Sequence, residues 1–326
     1  MQWSDQPSKG SCLAVALVAA VVLLASTFGA WSQRAIRMIL PFAPGGPADA
    51  MARILAEQIG TTGGPAMIVE PHPGAATVIG TELVSRAAPD GNTLGIVSNS
   101  FIMLPHLRKV NYDPFKSFEP ICRLAGFVSL VVVNGDSPYH TLADLIAAAH
   151  GRPGALTLGT IGPATASHIA FVMLSRAANA DMTFVPFNGY TAAIQSLLGN
   201  HITAAIADYS SLQGELKAGA LRALATTART RAAILPDVPT IIESGYQDVA
   251  AEFFGGVVAP AKTPPQIITQ LSSLFTAAMQ APKIKEKFAA LGFYPGGECG
   301  ADFAALLRRV NEDYGRVIRD ANIKLE

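Results

Sequence analysis

The chain lacks most of what would mark it as an enzyme, a nucleic-acid binder or a membrane protein. It contains no G-x-S-x-G elbow, no G-x-x-x-x-G-K-[ST] phosphate loop, no H-E-x-x-H zinc helix and no G-x-G-x-x-G dinucleotide fingerprint. The six histidines, at 72, 106, 140, 150, 168 and 201, show no metal-ligand spacing, so neither metal nor cofactor is expected. Lys plus Arg and Asp plus Glu number 24 each, and no basic block interrupts that balance, which argues against nucleic acid. Charged residues make up only 15% of the chain, against a disordered tail. There are three cysteines and no C-x-x-C pair, which excludes a dithiol redox motif. Cys122 and Cys299 could pair in an oxidising compartment. The plainer reading, and the one preferred here, is two free buried thiols.

Beyond the first thirty residues, no apolar run is long enough to span a bilayer. The N-terminus itself has the layout of an export signal. Lys9 supplies a positive start, Cys12 to Ala25 an apolar stretch, and Ala30-Trp31-Ser32 a small-x-small cleavage site. This predicts a signal peptide over 1–32 and an exported, periplasmic protein beginning at Gln33. Cys12 stands at the start of the apolar stretch and not at the cleavage site, which argues against a lipid anchor.

What is present is alternation. The stretch IRMILPFAPGGPADAMARILAEQI, from Ile36 to Ile59, reads as a strand, a tight glycine loop and a helix whose apolar residues fall at Met51, Ile54, Leu55 and Ile59. Pro47 suits a first helical turn. Free backbone N–H groups at such a helix start favour an anion, and Gly45 and Gly46 let a ligand come close to the main chain. An ordinary turn that binds nothing explains the same stretch equally well. Strand-to-helix loops recur at 42–48, 72–77, 98–100, 160–167, 187–190 and 208–211. Chain segments of this kind build α/β sheets that bind ligands beyond the carboxyl ends of their strands. Strands at 127–133 and 253–259 would cross between two lobes. One lobe would then be discontinuous, 33–127 plus 254–326, and the other 128–253. A turn-rich connector is expected from Tyr112 to Pro120 and a short helix from Asp237.

Few side chains at these loops offer chemistry. Ser167 beside His168 could be a nucleophile and base, with Asp208 as a third member, but neighbours at a helix start diverge, and a capping serine beside a partly buried histidine is the plainer reading. Asp49 reads as a first-turn acid that complements the helix dipole. Asp208 ends a strand, either as a turn cap or as an acceptor for a ligand amine, hydroxyl or amide. Phe42, Phe101, Phe187 and Tyr209 serve as core or as ligand wall. Backbone donors, hydroxyls and one or two acceptors suit binding better than turnover.

The chain resembles the periplasmic solute receptors of tripartite tricarboxylate transporters, the Bug family. The likeness rests on Pro41-Phe42-x-Pro44-Gly45-Gly46-x-x-Asp49, Pro73-Gly74-Ala75, Ala87-Ala88-Pro89-Asp90-Gly91, Tyr112-Asp113-Pro114, Leu197-Leu198-Gly199 and Leu235-Pro236-Asp237-Val238-Pro239-Thr240, in order from Ile36 onward. It implies an α/β, two-lobed Venus-flytrap fold of the periplasmic-binding-protein type II class, each lobe a mostly parallel sheet flanked by helices. It also implies a monomer that captures a small carboxylate (a di- or tricarboxylate, an amino acid or an aromatic acid) and presents it to membrane transporter subunits or a sensor domain. The ligand residues would be Phe42, Ala43, Pro44, Gly45, Gly46 and Asp49 in the first loop, and Gly74, Ala75, Ala76 and Thr77 in the second. Ser98 and Asn99 would join them, with Thr160, Gly162, Thr165, His168, Phe187, Asn188, Gly189, Asp208 and Tyr209 from the second lobe. This sequence departs from the family at the second loop, where Asn-Arg-Pro-Gly-Ala-Gly-Gly is usual and Pro71 to Thr77 reads PHPGAAT. Two other readings stand beside this one: a degenerate receptor with a scaffold or signalling role, and an exported hydrolase or isomerase.

Overall fold

The computed structural model describes residues 35–162, 165–247, 249, 251, 253–320 and 323. The signal segment 1–32 and the loop residues Pro163 and Ala164 lie outside them. Eleven strands among the described residues form two sheets. The six-stranded one has the order β11-β4-β10-β3-β1-β2. It is built from β1 (Ile36–Leu40), β2 (Met67–Pro71), β3 (Thr93–Ser98), β4 (Phe118–Phe127), β10 (Phe253–Pro260) and β11 (Phe293–Pro295). The five-stranded one has the order β7-β6-β8-β5-β9. It contains β5 (Ser129–Asn134), β6 (Thr157–Thr160), β7 (Thr183–Pro186), β8 (Ala204–Asp208) and β9 (Leu221–Thr226). Helices flank both sheets, giving a two-lobed α/β fold. No helix among the described residues is long and apolar enough to cross a membrane.

The strands that feed the loops pair in parallel, β2-β1-β3 in one lobe and β7-β6-β8 in the other. The pairs made by β4, β10, β5 and β9 are antiparallel, so each sheet is mixed rather than mostly parallel. The chain's route explains this. A strand that enters directly from the other lobe starts at the cleft and runs away from it, opposite to strands that end there. β5 starts at Ser129, opposite the end of β8 at Asp208, and β10 starts near the end of β3.

Three expectations are corrected. The crossing expected at 127–133 is two strands, β4 and β5, separated by Val128. The connector expected up to Pro120 ends in a ten-residue strand. Pro120 fits there because the pairing of β4 with β10 shifts register between Val257 and Val258, the irregularity at which Pro120 sits. The helix expected from Asp237 is a single turn. Thr240 and Glu243 exchange N–H bonds of 2.8 and 3.0 Å as a capping box, but Gly245, at φ 103°, breaks the chain away.

Cys122 and Cys299 form a disulfide, contrary to the expectation of free thiols. Segment 296–300 lies along β4: Arg123 N–H donates to Glu298 O at 2.8 Å, Gly300 N–H donates to Ile121 O at 2.8 Å, and the Arg123 and Glu298 side chains pair at 2.7 Å. That pairing sets the two cysteines opposite each other as an isolated bridge. The two ends of the six-stranded lobe are thereby tied across the whole of the other lobe.

Candidate functional site

The two crossings lie side by side. Thr227 N–H donates to Ser129 O at 2.9 Å, Ala251 N–H donates to Thr227 O at 3.0 Å, and Phe253 pairs with Phe127. The loops after β1, β2, β3, β6, β7 and β8 face the cleft above this hinge. Each opens a helix: α1 (Pro47–Thr61), α2 (Val78–Ser85), α3 (Asn99–Leu107), α5 (Ala166–Ala177), α6 (Tyr190–Leu198) and α7 (Tyr209–Lys217). A further helix, α4 (Leu142–Gly151), flanks the second lobe. After the crossings α8 (Pro265–Gln280), α9 (Pro282–Ala290) and α10 (Ala301–Asp320) close the first.

In the first loop Phe42 packs half-buried on the core, while Ala43, Pro44 and Gly45 are exposed. Gly46 is the extended N-cap of α1 and has no side-chain cap. A Cβ added at Gly45 or Gly46 would meet nothing within 4 Å, so the space over this turn is open. Asp49 is 6% exposed and both its oxygens are used internally. Oδ2 accepts from Gly45 N–H at 3.0 Å and Oδ1 from Arg53 Nε at 2.7 Å. Asp49 therefore shapes the loop, and its expected ligand contact is replaced by that role.

The second loop is the most strained backbone among the described residues. Gly74 has φ 136°, then Ala75, Ala76 and Thr77 follow at 48°, 54° and 85°. A left-handed L-residue costs about 1–2 kcal/mol, and a β-branched one there is an outlier. Ala76 and Thr77 occupy the positions where the family resemblance expects glycine. The main chain keeps the glycine path and carries side chains on it. Thr77 is the N-cap of α2, but its left-handed conformation turns the hydroxyl from the helix, and Oγ1 is buried without a partner.

Asn99, expected in the cleft, is spent on the scaffold. Its Nδ2 donates to Tyr314 OH at 3.0 Å and its Oδ1 accepts from Phe254 N–H at 3.2 Å, which ties α3 to α10 and β10. Ser98 stays part-exposed, with its hydroxyl 3.1 Å from that of Ser100.

In the second lobe Thr160 is buried. Thr165 caps α5, accepting from His168 N–H at 3.3 Å and donating to Gly162 O at 2.9 Å. Ser167 Oγ lies 3.0 Å from Thr165 Oγ1, so threonine is the cap and serine its neighbour. The His168 ring lies on Phe184 at 4.3 Å, and burial lowers its pKa to about 4, leaving it neutral. Phe187 packs half-buried against the core over Gly159, Asn188 is exposed, and Gly189, at φ 107°, opens α6 with free space above it. Tyr209 is 5% exposed, packs on Gly292 of the other lobe and accepts from Gln213 Nε2 at 3.3 Å. It makes a contact between the lobes.

Asp208 is 2% exposed. Ser129 Oγ donates to its Oδ1 and Tyr190 OH to its Oδ2. Burial raises its pKa to about 6 against the pull of these two bonds. The carboxylate thus has internal donors on both oxygens, and an amine-bearing ligand would have to displace one. Ser129 and Tyr190 were not singled out from sequence. Their signals were slight: the first polar residue after an apolar crossing, and an aromatic directly after a loop glycine.

No Lys or Arg stands among the candidate residues. The donors that these loops offer an anion are the helix N-termini and their first-turn N–H groups. Residues 51–323 match the model of the tripartite tricarboxylate transporter family receptor. The chain belongs to that family. It is 36% identical over 276 residues to a protein encoded in the gbd 5' region of Cupriavidus necator, covering 84% of each chain. Among solved structures, the periplasmic binding protein BugD superposes with TM-score 0.84 at 29% identity, over 90% of this chain and 99% of that one. An R. palustris protein solved with adipate superposes with TM-score 0.85 at 26% identity, over 90% and 98%. This receptor therefore sits among the Bug-type solute-binding proteins.

Proposed function

We propose that this receptor captures a small carboxylate between two lobes, 33–127 plus 254–326 and 128–253, in the periplasm. It would work as a monomer and deliver the ligand to tripartite-type membrane transporter subunits. The observation that carries the reading is the ring of helix N-termini around a hinge, with open space over Gly46 and Gly189. The R. palustris relative with adipate supports a carboxylate ligand. Gly46, the loop residues Ala43 to Gly45, and Gly74 to Thr77 supply the anion's end of the site. Gly162, Thr165 and Phe187 to Gly189 meet the other end. Closing the lobes removes water from the N–H donors and strengthens their hold on the anion, and the closed form is what a partner recognises.

The geometry disfavours turnover. Ser167 pairs with Thr165 rather than His168, and His168 is neutral and packed on Phe184. Relatives in this family are solute-binding proteins, which favours capture over catalysis. A thermal-shift panel of mono-, di- and tricarboxylates, amino acids and aromatic acids, run on protein refolded from denaturant, tests the reading. A ligand at about 100 times its Kd adds about 2.7 kcal/mol and raises Tm visibly. Shifts confined to one carboxylate class support it. A flat panel contradicts it and favours a degenerate receptor with a scaffold role.

A further inference from the structure

Asp208 is where a negative charge is buried beside the cleft with nothing positive to balance it. Its place is fixed by register: Asp208 pairs with Ser129, the first residue after the crossing at Val128, and Tyr209 N–H donates to Val128 O at 2.8 Å. The carboxyl group therefore lies at the floor of the cleft, against the hinge. Among the described residues no Lys, Arg or His pairs with it. Its two partners are hydroxyls, and a hydroxyl both donates and accepts. A protonated Asp208 can donate to Tyr190 or Ser129 while still accepting from the other, so the cluster stays bonded in either state.

An anion bound at the ring of helix N-termini brings a second negative charge into the same closing, water-poor space. Like charges so placed do not both stay ionised. We propose that capture of the carboxylate is coupled to uptake of one proton by Asp208, so that this receptor holds its anionic ligand more tightly as pH falls. The proposal rests on the receptor reading above and adds its regulation. The proton comes from solvent and adds to one carboxylate oxygen, and no other bond changes.

Burial already brings the free receptor's Asp208 to about 6, close enough to neutrality for a nearby anion to complete the protonation. The surroundings add no competing titration. Tyr190 on α6 is a buried phenol held well above its usual range. Tyr209 on α7 bonds Gln213, and His168 on α5 titrates near 4. At this end β5 and β6 contribute only the hydroxyls of Ser129 and Thr160, and Glu215 and Lys217 lie further along α7.

The test is isothermal titration of the purified receptor with adipate and with succinate at pH 6.5, 7.25 and 8.0. Each pH is run in buffers of different ionisation enthalpy. The window stays above the range in which ligand carboxyls titrate. Coupling predicts net proton uptake at pH 6.5 and an affinity that weakens roughly threefold or more by pH 8.0. Asp208→Asn should abolish both the uptake and the slope. Tyr190→Phe removes a donor to the charged form and should move the slope to higher pH, which keeps the test open if Asp208→Asn misfolds. Binding with no buffer dependence and one affinity across the window overturns the coupling. Uptake that survives in Asp208→Asn overturns its assignment to Asp208. If neither diacid nor the wider carboxylate panel binds at any pH, the receptor reading fails and the coupling falls with it.

Discussion

The two sides of the cleft carry opposite kinds of chemistry. The first lobe offers backbone: a glycine turn open to solvent, three non-glycine residues held left-handed, and an aspartate folded back to brace the turn. The second lobe buries its chemistry: an acid locked between two hydroxyls and a neutral histidine packed on phenylalanine. Strained backbone makes fixed donors that suit a carboxylate, whichever molecule carries it. Buried ionisable side chains respond to pH and to charge. The proposed function divides capture and discrimination between the lobes, and that division can be broken from either side.

The largest effect on ligand affinity should follow from filling the first loop. Gly46 has an ordinary extended φ and open space around it, so Gly46→Val should leave the melting temperature nearly unchanged. The side chain would stand where the anion approaches, and affinity should fall at least tenfold, about 1.4 kcal/mol. Unchanged affinity in titration calorimetry would remove the first loop from the site.

The largest effect on stability should follow from removing the tie across the second lobe. Replacing Cys122 and Cys299 with alanine should cost about 2–4 kcal/mol in urea unfolding, because the crosslink spans 177 residues of sequence. Ligand affinity should change far less, since neither sulfur lies at the cleft.

The second lobe's buried pair makes opposite contributions to stability. Asp208 titrates higher folded than unfolded, so its contribution is lost as pH rises from about 4 to 6. His168 titrates lower folded than unfolded, so its contribution is gained as pH rises from about 4 to 6.5. Each is worth on the order of 3 kcal/mol, and in the native protein they offset each other. Asp208→Asn should make stability rise with pH over this window, and His168→Gln should make it fall, in urea unfolding at pH 4.5, 5.5 and 6.5. Parallel curves for both variants would contradict the assignment.

The smallest effect concerns strain. Thr77→Gly should stabilise the fold by about 1 kcal/mol, because glycine adopts φ 85° without cost and the buried hydroxyl without a partner is removed. Gly189→Ala, at φ 107°, should destabilise it by a similar amount. Thermal unfolding of the two variants side by side reads the sign directly.

Much of this was legible beforehand, for stated reasons. Strand-to-helix alternation and the Pro44–Pro47 punctuation fix local structure, so the loops and their helices stand where expected. Long-range pairing carries no local signal. The Cys122–Cys299 bond depends on segment 296–300 lying along β4, and Pro120 hides a strand that β10 pairs along its whole length through a register shift at that proline. The same limit applies at the site. Asn99 looks like a cleft residue in sequence, and only the distant Tyr314 and Phe254 reveal it as scaffold. Asp208 was visible as a strand-ending acid, but its partners Ser129 and Tyr190 come from other elements.

The most direct test of backbone capture is to titrate the refolded receptor with the diacid that gives the largest thermal shift and with its uncharged diamide. The account predicts that the diacid binds, that the diamide binds at least a hundredfold more weakly (about 2.7 kcal/mol), and that Gly46→Val removes most of this preference. Equal binding of acid and amide, or a preference that survives Gly46→Val intact, would contradict it.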